Sequence, residues 1–328
     1  MTTPLLELRG LTRTYPSTSG RHGSPLVALD DFSLTIDAER PKIIAIVGES
    51  GSGKTTLANL VLGFDKPSAG TILFDGAPLK LTGSREKRSY RRNVQAVFQD
   101  PFAAFNPFYR VRHIFNLAAR SFGIDKAGSE SVEAALNAVG LSGADVLDKH
   151  PHQLSGGQRQ RIMIARALVV QPRLIVADEP VSMVDASLRS TILAVLERLK
   201  QQGISFIYIT HDLSTVWQYA DEVHVLYRGR LMECGPAQQV IEAPKHPYVR
   251  LLVDSVPPLE RNDKWLQPVP APEHPTGRGE VGCPFVASCP HGWELCRSKT
   301  PELVSARGFP ERRVACHLFD EEPQSWRR

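Results

Sequence analysis

Residues 48–55 read Gly-Glu-Ser-Gly-Ser-Gly-Lys-Thr, a run whose glycines, hydroxyls and lysine are spaced to grip a phosphate. Gly48, Gly51 and Gly53 let the backbone take positive φ and approach an anion. Successive N–H groups, together with a following helix N-terminus, then converge on it, with Ser50 and Thr56 in the same cradle. Lys54 would bridge the β- and γ-phosphates of a nucleoside triphosphate, and the Thr55 hydroxyl would ligate magnesium. This is the P-loop pattern, which demands a strand before it and a helix after it. Residues 42–47 are a short run rich in isoleucine and valine, as a fully buried parallel strand should be. Residues 55–62 continue without a helix breaker.

A hydrolytic site also needs carboxylates near that phosphate. Residues 174–177, Leu-Ile-Val-Ala, repeat the buried-strand pattern, and Asp178 and Glu179 follow directly. Asp178 fits the role of holding hydrated magnesium, and Glu179 that of polarising the attacking water for in-line transfer of the γ-phosphoryl group. Upstream, residues 154–161 read Leu-Ser-Gly-Gly-Gln-Arg-Gln-Arg. There Ser155, Gly156 and Gly157 start a helix whose dipole and free N–H groups can grip a second phosphate.

These segments, in this order, resemble the ATP-binding subunits of ABC transporters, and the resemblance runs along the whole chain. Residues 154–158 look like the family's signature sequence, its most specific motif. The resemblance implies that Ser155, Gly156, Gly157 and Gln158 contact the γ-phosphate of ATP held by a partner subunit, so that two ATPase chains sandwich two nucleotides. Gln99 resembles the Q-loop glutamine, a magnesium ligand that senses the γ-phosphate and couples to the membrane subunits through residues 102–112. His211 resembles the switch histidine on the γ-phosphate, and Tyr15 the aromatic that stacks on adenine. Ser182 and Asp185 sit where the family's D-loop crosses the dimer interface. The loop here reads Ser-Met-Val-Asp rather than the common Ser-Ala-Leu-Asp. The fold implied is α/β: a P-loop NTPase (RecA-like) core with an antiparallel β-subdomain, an inserted α-helical subdomain and an irregular C-terminal extension.

With one P-loop and one signature sequence, the chain is half an engine. The resemblance implies a second ATPase subunit, either a copy or a paralogue, two transmembrane permease subunits and an extracytoplasmic solute-binding protein. Composition agrees with that division of labour. The 328 residues carry 39 basic and 35 acidic side chains, a balance that makes no strong case for nucleic-acid binding. No stretch approaches eighteen uninterrupted apolar residues, and the N-terminus lacks a charged-then-apolar leader. The expectation is a soluble chain peripheral to the cytoplasmic face of the inner membrane.

Along the chain, residues 1–92 read as an antiparallel β-portion leading into the P-loop core, with strands at 5–8 and 34–36 and a loop at 20–25. Residues 93–170, helix-prone as at 129–139, would form the helical subdomain. A helix at 187–201, a strand at 205–210 and a hairpin around Arg228-Gly229-Arg230 complete an ATP-binding domain over 1–240. Residues 241–328 then form a separate extension. Prolines crowd into 244–275, and four of the five cysteines fall between 283 and 316. His246-Pro247-Tyr248, Leu251-Leu252 and Ser255-Val256-Pro257 resemble the extension of oligopeptide and dipeptide importer ATPases.

In that family, Cys283, Cys289, Cys296 and Cys316 are associated with an iron–sulfur cluster. Cytosolic thiols stay reduced, so clustered cysteines point to metal rather than disulfides. Four thiolates suit a [4Fe–4S] cluster or zinc. The intervening lengths of five, six and nineteen residues do not match the paired two-residue gaps of a zinc ribbon. Cluster, zinc and metal-free buried cysteines all remain open on the residues alone. Cys234 reads as a core cysteine. Peptides are the expected cargo, with oligosaccharide, nickel and glutathione importers carrying similar tails. Non-transport ABC ATPases usually have long coiled coils or two cassettes in one chain, which this sequence lacks.

Overall fold

The computed structural model describes residues 3–16, 25–100, 105–124, 128–255, 281–306 and 308–320. Two strands, β1 (Leu6–Tyr15) and β2 (Leu26–Ile36), precede β3 (Ile43–Val47) and helix α1 (Lys54–Val61). Next come β4 (Ala69–Phe74), β5 (Ala77–Pro78), α2 (Ser84–Asn93) and β6 (Val94–Val97). The helical region holds α3 (Val111–Phe122), α4 (Gly128–Ala138), α5 (Gly143–Val146) and α6 (Gly156–Leu168). The core resumes with β7 (Leu174–Asp178), α7 (Ala186–Gln201), β8 (Ser205–Ile209), α8 (Leu213–Tyr219), β9 (Glu222–Tyr227) and β10 (Arg230–Pro236). After α9 (Ala237–Glu242) and α10 (Pro247–Asp254), the last region adds α11 (Glu294–Ser298), β11 (Val304–Ala306) and β12 (Phe309–Val314).

The main sheet runs β11-β12-β10-β9-β3-β8-β7-β6, parallel from β9 to β6, and the second sheet is antiparallel in the order β2-β1-β4-β5. Strand β3 shows why a continuous apolar run is needed at the centre. Ile43, Ala45 and Val47 pack on one face with the helical region and α7, while Ile44 and Ile46 pack on the other with α1 and the antiparallel sheet. Both faces are covered, so period-two alternation has no solvent side to show. The β9–β10 hairpin turns at Arg228 and Gly229, both with positive φ, which suits a tight turn between twisted strands.

β1 and β2 extend well beyond the strands expected at 5–8 and 34–36, because each pairs along its length despite register shifts. The loop expected at 20–25 lies, apart from Pro25, outside the described residues, as do the first three of residues 102–112 and positions 256–257. The extension departs further from expectation. It is not irregular throughout: β12 pairs antiparallel with β10, and β11 with β12, so they continue the core sheet. The join is fixed by Arg312, buried to 1% exposure, whose guanidinium pairs with the buried Glu233 carboxylate of β10 (Nε donor, 2.8 Å) and donates to Gln239 O at 3.0 Å. Glu233 Oε2 also accepts from the backbone N–H groups of Lys245 and His246, at 3.1 and 2.8 Å. A charge pair buried this deeply persists only when such added donors satisfy it. Cys234 is buried in β10, as read from the sequence.

Candidate nucleotide site

Four neighbouring parallel strands deliver the chemistry at their C-terminal ends, where open α/β sheets bind ligands. β3 runs into the phosphate loop, β8 into His211, β7 into Asp178-Glu179, and β6 ends just before Gln99. That spatial order places Glu179 between two partners. Gln99 Nε2 donates to Glu179 Oε2 at 2.9 Å, and His211 Nδ1 donates to Oε1 at 2.8 Å. The Glu179 backbone has φ of +45°, a left-handed conformation uncommon outside glycine, held by its N–H to Ile209 O at 2.8 Å. Ser182 Oγ donates back to Glu179 O at 3.0 Å, tying the loop that follows to the carboxylate.

In the phosphate loop, Gly48, Gly51 and Gly53 all have positive φ. A Cβ on Gly53 would lie 2.5 Å from Ala28 O, so β2 closes against the loop only because that atom is missing. Helix α1 opens with no side-chain cap, leaving its first N–H groups, those of Lys54, Thr55 and Thr56 among them, to an anion. Lys54 Nζ rests on Gly48 O and Glu49 O, at 2.6 and 2.8 Å. Burial pushes its ammonium below its ordinary value, opposed by the carboxylates of Glu179, Asp178 and Glu49. Burial, then the neighbouring Glu179 charge, pushes the Asp178 carboxyl up, while Lys54 pulls it down. A bound triphosphate with its cation supplies the charges that this lysine and carboxylate lack. A single carboxylate plus a hydroxyl is the protein share usual for magnesium at such sites, the rest coming from phosphate and water.

Ser155 caps α6 as a capping box: Gln158 N–H donates to Ser155 Oγ at 3.2 Å, and Ser155 N–H to Gln158 Oε1 at 3.0 Å. A Cβ on Gly156 would lie 3.8 Å from Met183 O, and one on Gly157 2.9 Å from the Leu188 side chain. Asp185, exposed, takes the position before α7 without capping it.

Tyr15 ends β1, and its hydroxyl donates to Asp65 Oδ2 at 2.9 Å. Sequence reading missed the residues behind it. Arg13 lies over the Tyr15 ring at 4.6 Å and pairs with Asp65 at 2.8 Å. Two positions apart on a strand, Arg13 and Tyr15 share a face, so the spacing alone could have paired them.

The cysteines of the extension come together from the segment 283–296, where Cys296 sits on α11, and from the residues after β12. Cys283, Cys289, Cys296 and Cys316 line one small cavity with His246, Trp293 and His317 among the other walls. All are free thiols. Burial, reinforced by the other thiols, pushes Cys283 up to about 11 and Cys316 up to about 12. Among the described residues, however, no group of three or more His, Cys, Asp or Glu side chains is placed to hold a metal ion. No helix among the described residues is long and apolar enough to cross a membrane.

Comparison with known proteins agrees with this geometry. Residues 29–182 match the ABC transporter family, and residues 232–296 match the oligopeptide/dipeptide transporter C-terminal region. Over most of their lengths, the chain is similar to the di/tripeptide transport ATP-binding protein DppF of Pseudomonas aeruginosa (37% identical, 97% of this chain and 98% of the relative) and the dipeptide transport ATP-binding protein DppF of Haemophilus influenzae (38%, 92% and 93%). The oligopeptide transport ATP-binding protein AppF of Bacillus subtilis is 36% identical, over 96% and 97%. Among solved structures, CbiO1 of Clostridium perfringens, part of an ABC transporter complex, superposes with a TM-score of 0.63 at 29% identity over 74% of this chain and 92% of that one. The chain belongs to the ABC transporter ATP-binding proteins that carry the oligopeptide/dipeptide transporter C-terminal region. As such, it is an ATPase coupled to transport.

Proposed function

We propose that this chain hydrolyses ATP between its phosphate loop and a partner's signature turn to drive import of di- and oligopeptides through separate membrane subunits. The observation that carries the hydrolytic reading is Glu179, held by Gln99 on one oxygen and His211 on the other, at the end of a strand separated by β8 from the one that leads to Lys54. In-line attack on the γ-phosphate needs a water on one of those oxygens, each of which has a further lone pair to accept from it. His211, with 67% of its side chain exposed, has room to swing onto the γ-phosphate. Thr55 and Asp178, with Gln99, would hold a magnesium ion, which would supply neutralisation of charge on the phosphates. Tyr15, backed by Arg13, offers its ring to adenine, and Gly48, Ser50, Gly51, Gly53, Lys54 and Thr56 hold the phosphates.

Dimerisation rests on the resemblance to ATP-binding subunits that share nucleotide between two chains. In that arrangement the turn of Ser155, Gly156, Gly157 and Gln158, which has Met183 O beside Gly156, would face ATP on the partner, with Ser182 and Asp185 at the join. Closure reaches the permeases through a groove between β6 and α3, lined by Gln95, Tyr109, His113, Ile114, Leu117 and Phe122, beside the exposed Phe108. The peptide cargo rests on the names of the relatives and on the C-terminal region, as do two permeases, a solute-binding protein and a place on the cytoplasmic face of the inner membrane. Residues 1–240 serve as the ATPase domain and 241–328 as its extension.

For the extension, a [4Fe–4S] cluster on Cys283, Cys289, Cys296 and Cys316 is supported by the donor set: four thiols around one cavity, one for each iron. The group would tie the extension together rather than take part in hydrolysis. Iron and sulfide analysis of anaerobically purified chain should find about four irons per chain; a metal-free protein rejects the cluster and leaves the ATPase untouched. The hydrolytic reading is tested by Glu179→Gln in the assembled complex. ATP binding is retained and turnover lost, and near-normal turnover removes Glu179 from the role.

A further inference from the structure

A side chain of the C-terminal extension reaches the phosphate loop. Glu49 N–H donates to Tyr248 Oη at 3.2 Å. That N–H belongs to the Gly48–Glu49 peptide, the first of the loop, and the carbonyl of the same peptide, Gly48 O, is the nearer of the two on which Lys54 Nζ rests. The next carbonyl, Glu49 O, accepts from both Lys54 Nζ and Ser52 N–H, the latter at 3.1 Å. Tyr248 thus holds one end of a peptide whose other end seats the lysine. An acceptor held at the N–H end also polarises the peptide and makes its carbonyl a better acceptor.

The tyrosine is built to hold still. It is 1% exposed, near the start of α10, and its ring packs against Tyr227 (centroids 4.5 Å apart) and Phe285 (5.5 Å). Phe285 lies two residues beyond Cys283 and meets Tyr227 edge-on at 5.6 Å. On the backbone side, Tyr248 N–H donates to His246 Nδ1 at 3.0 Å, and His246 N–H donates to Glu233, the carboxylate paired with Arg312. The other side of the loop has no slack either. Gly48 has φ of +151°, and a Cβ there would meet Leu226 O at 2.1 Å.

We infer that Tyr248 is a positioning residue for the ATP site: through its hydroxyl, the C-terminal extension fixes the first peptide of the phosphate loop and the resting place of Lys54, and so sets nucleotide affinity. This rests on the reading of Lys54 as the phosphate-binding lysine. It assigns the extension a part in nucleotide binding that its docking to the sheet does not require.

Tyr248→Phe keeps the ring and its packing and removes one oxygen. In the full chain, the Kd for both ATP and ADP rises about five-fold, the worth of one hydrogen bond. In the assembled complex, the loss falls on KM rather than kcat. A melting temperature lowered with Kd unchanged reduces Tyr248 to a packing residue and overturns the inference. Should Tyr248→Phe not fold, amide hydrogen exchange on the unaltered chain decides: a slowed Glu49 amide without nucleotide supports the contact, and free exchange overturns it. Lys54→Ala separates the two levels. If it leaves ATP affinity intact, the phosphate-loop reading itself fails; if it abolishes binding while Tyr248→Phe changes nothing, only the role of Tyr248 falls.

Discussion

The two ends of the main sheet treat charge in opposite ways. At the nucleotide end, Lys54 sits on backbone carbonyls with its ammonium pushed down by burial, and Asp178 is pushed up beside Glu179. At the extension end, Glu233 and Arg312 are buried more deeply still, yet backbone N–H and carbonyl groups complete the pair. One region leaves charges awaiting a partner; the other supplies every partner from the chain. The difference separates a site from a joint. Unmet electrostatic demand is what a ligand binds to, and satisfied demand is what docks one part of a protein on another.

The comparison breaks first at Glu179. Glu179→Gln keeps a hydrogen-bonding side chain between Gln99 and His211 but removes the base, so turnover in the assembled complex falls by about 10²–10⁴-fold with ATP still bound. Phosphate release and nucleotide occupancy, measured together, check this.

At the joint, Arg312→Met leaves Glu233 buried without its cation. Chemical denaturation should then show a loss of about 3–5 kcal/mol. ATP affinity per folded molecule should change much less. An affinity loss as large as the stability loss would show that joint and site are not separable.

Acid sharpens the contrast. Burial holds His246 at about 4, below its ordinary 6.5, so the folded chain resists a proton that the unfolded chain accepts. Its contribution is intact above the unfolded value and is lost progressively as pH falls from about 6.5 to 4. That window amounts to about 3 kcal/mol. Thermal melts between pH 7 and 4 should fall accordingly, and His246→Asn should flatten the slope.

The smallest effect belongs to Ser155, which caps α6 now and would face a partner's phosphate in the sandwich. Ser155→Ala costs about 1 kcal/mol of stability in the isolated chain. A further drop in turnover, seen only in the complex, separates capping from catalysis.

Much of the nucleotide site was legible because its parts are local. Glycines at 48, 51 and 53, a lysine and threonine at a helix start, and an Asp-Glu after an apolar strand each state their chemistry within a few residues. The strands β3, β7 and β8 and helices α1, α4 and α7 fall within a residue or two of where apolar pattern and breakers place them. The extension was less legible. β12 is Phe-Pro-Glu-Arg-Arg-Val, a charged hexamer with a proline that reads as loop, and it becomes a strand because β10 offers it a free edge and Glu233 receives its arginine. Proline is tolerated there because the strand has few ladder bonds to lose.

The sequence by itself determined which residues could hold phosphate, magnesium and a hydrolytic water. Those properties reside in side-chain type and short spacing. Only the tertiary structure decided that Glu179 is gripped by residues 80 and 32 positions away, and that Tyr248 reaches a phosphate-loop amide 199 positions away. Contacts at such separations come from strand order and from how the extension packs on the sheet, and no local pattern of residues encodes either.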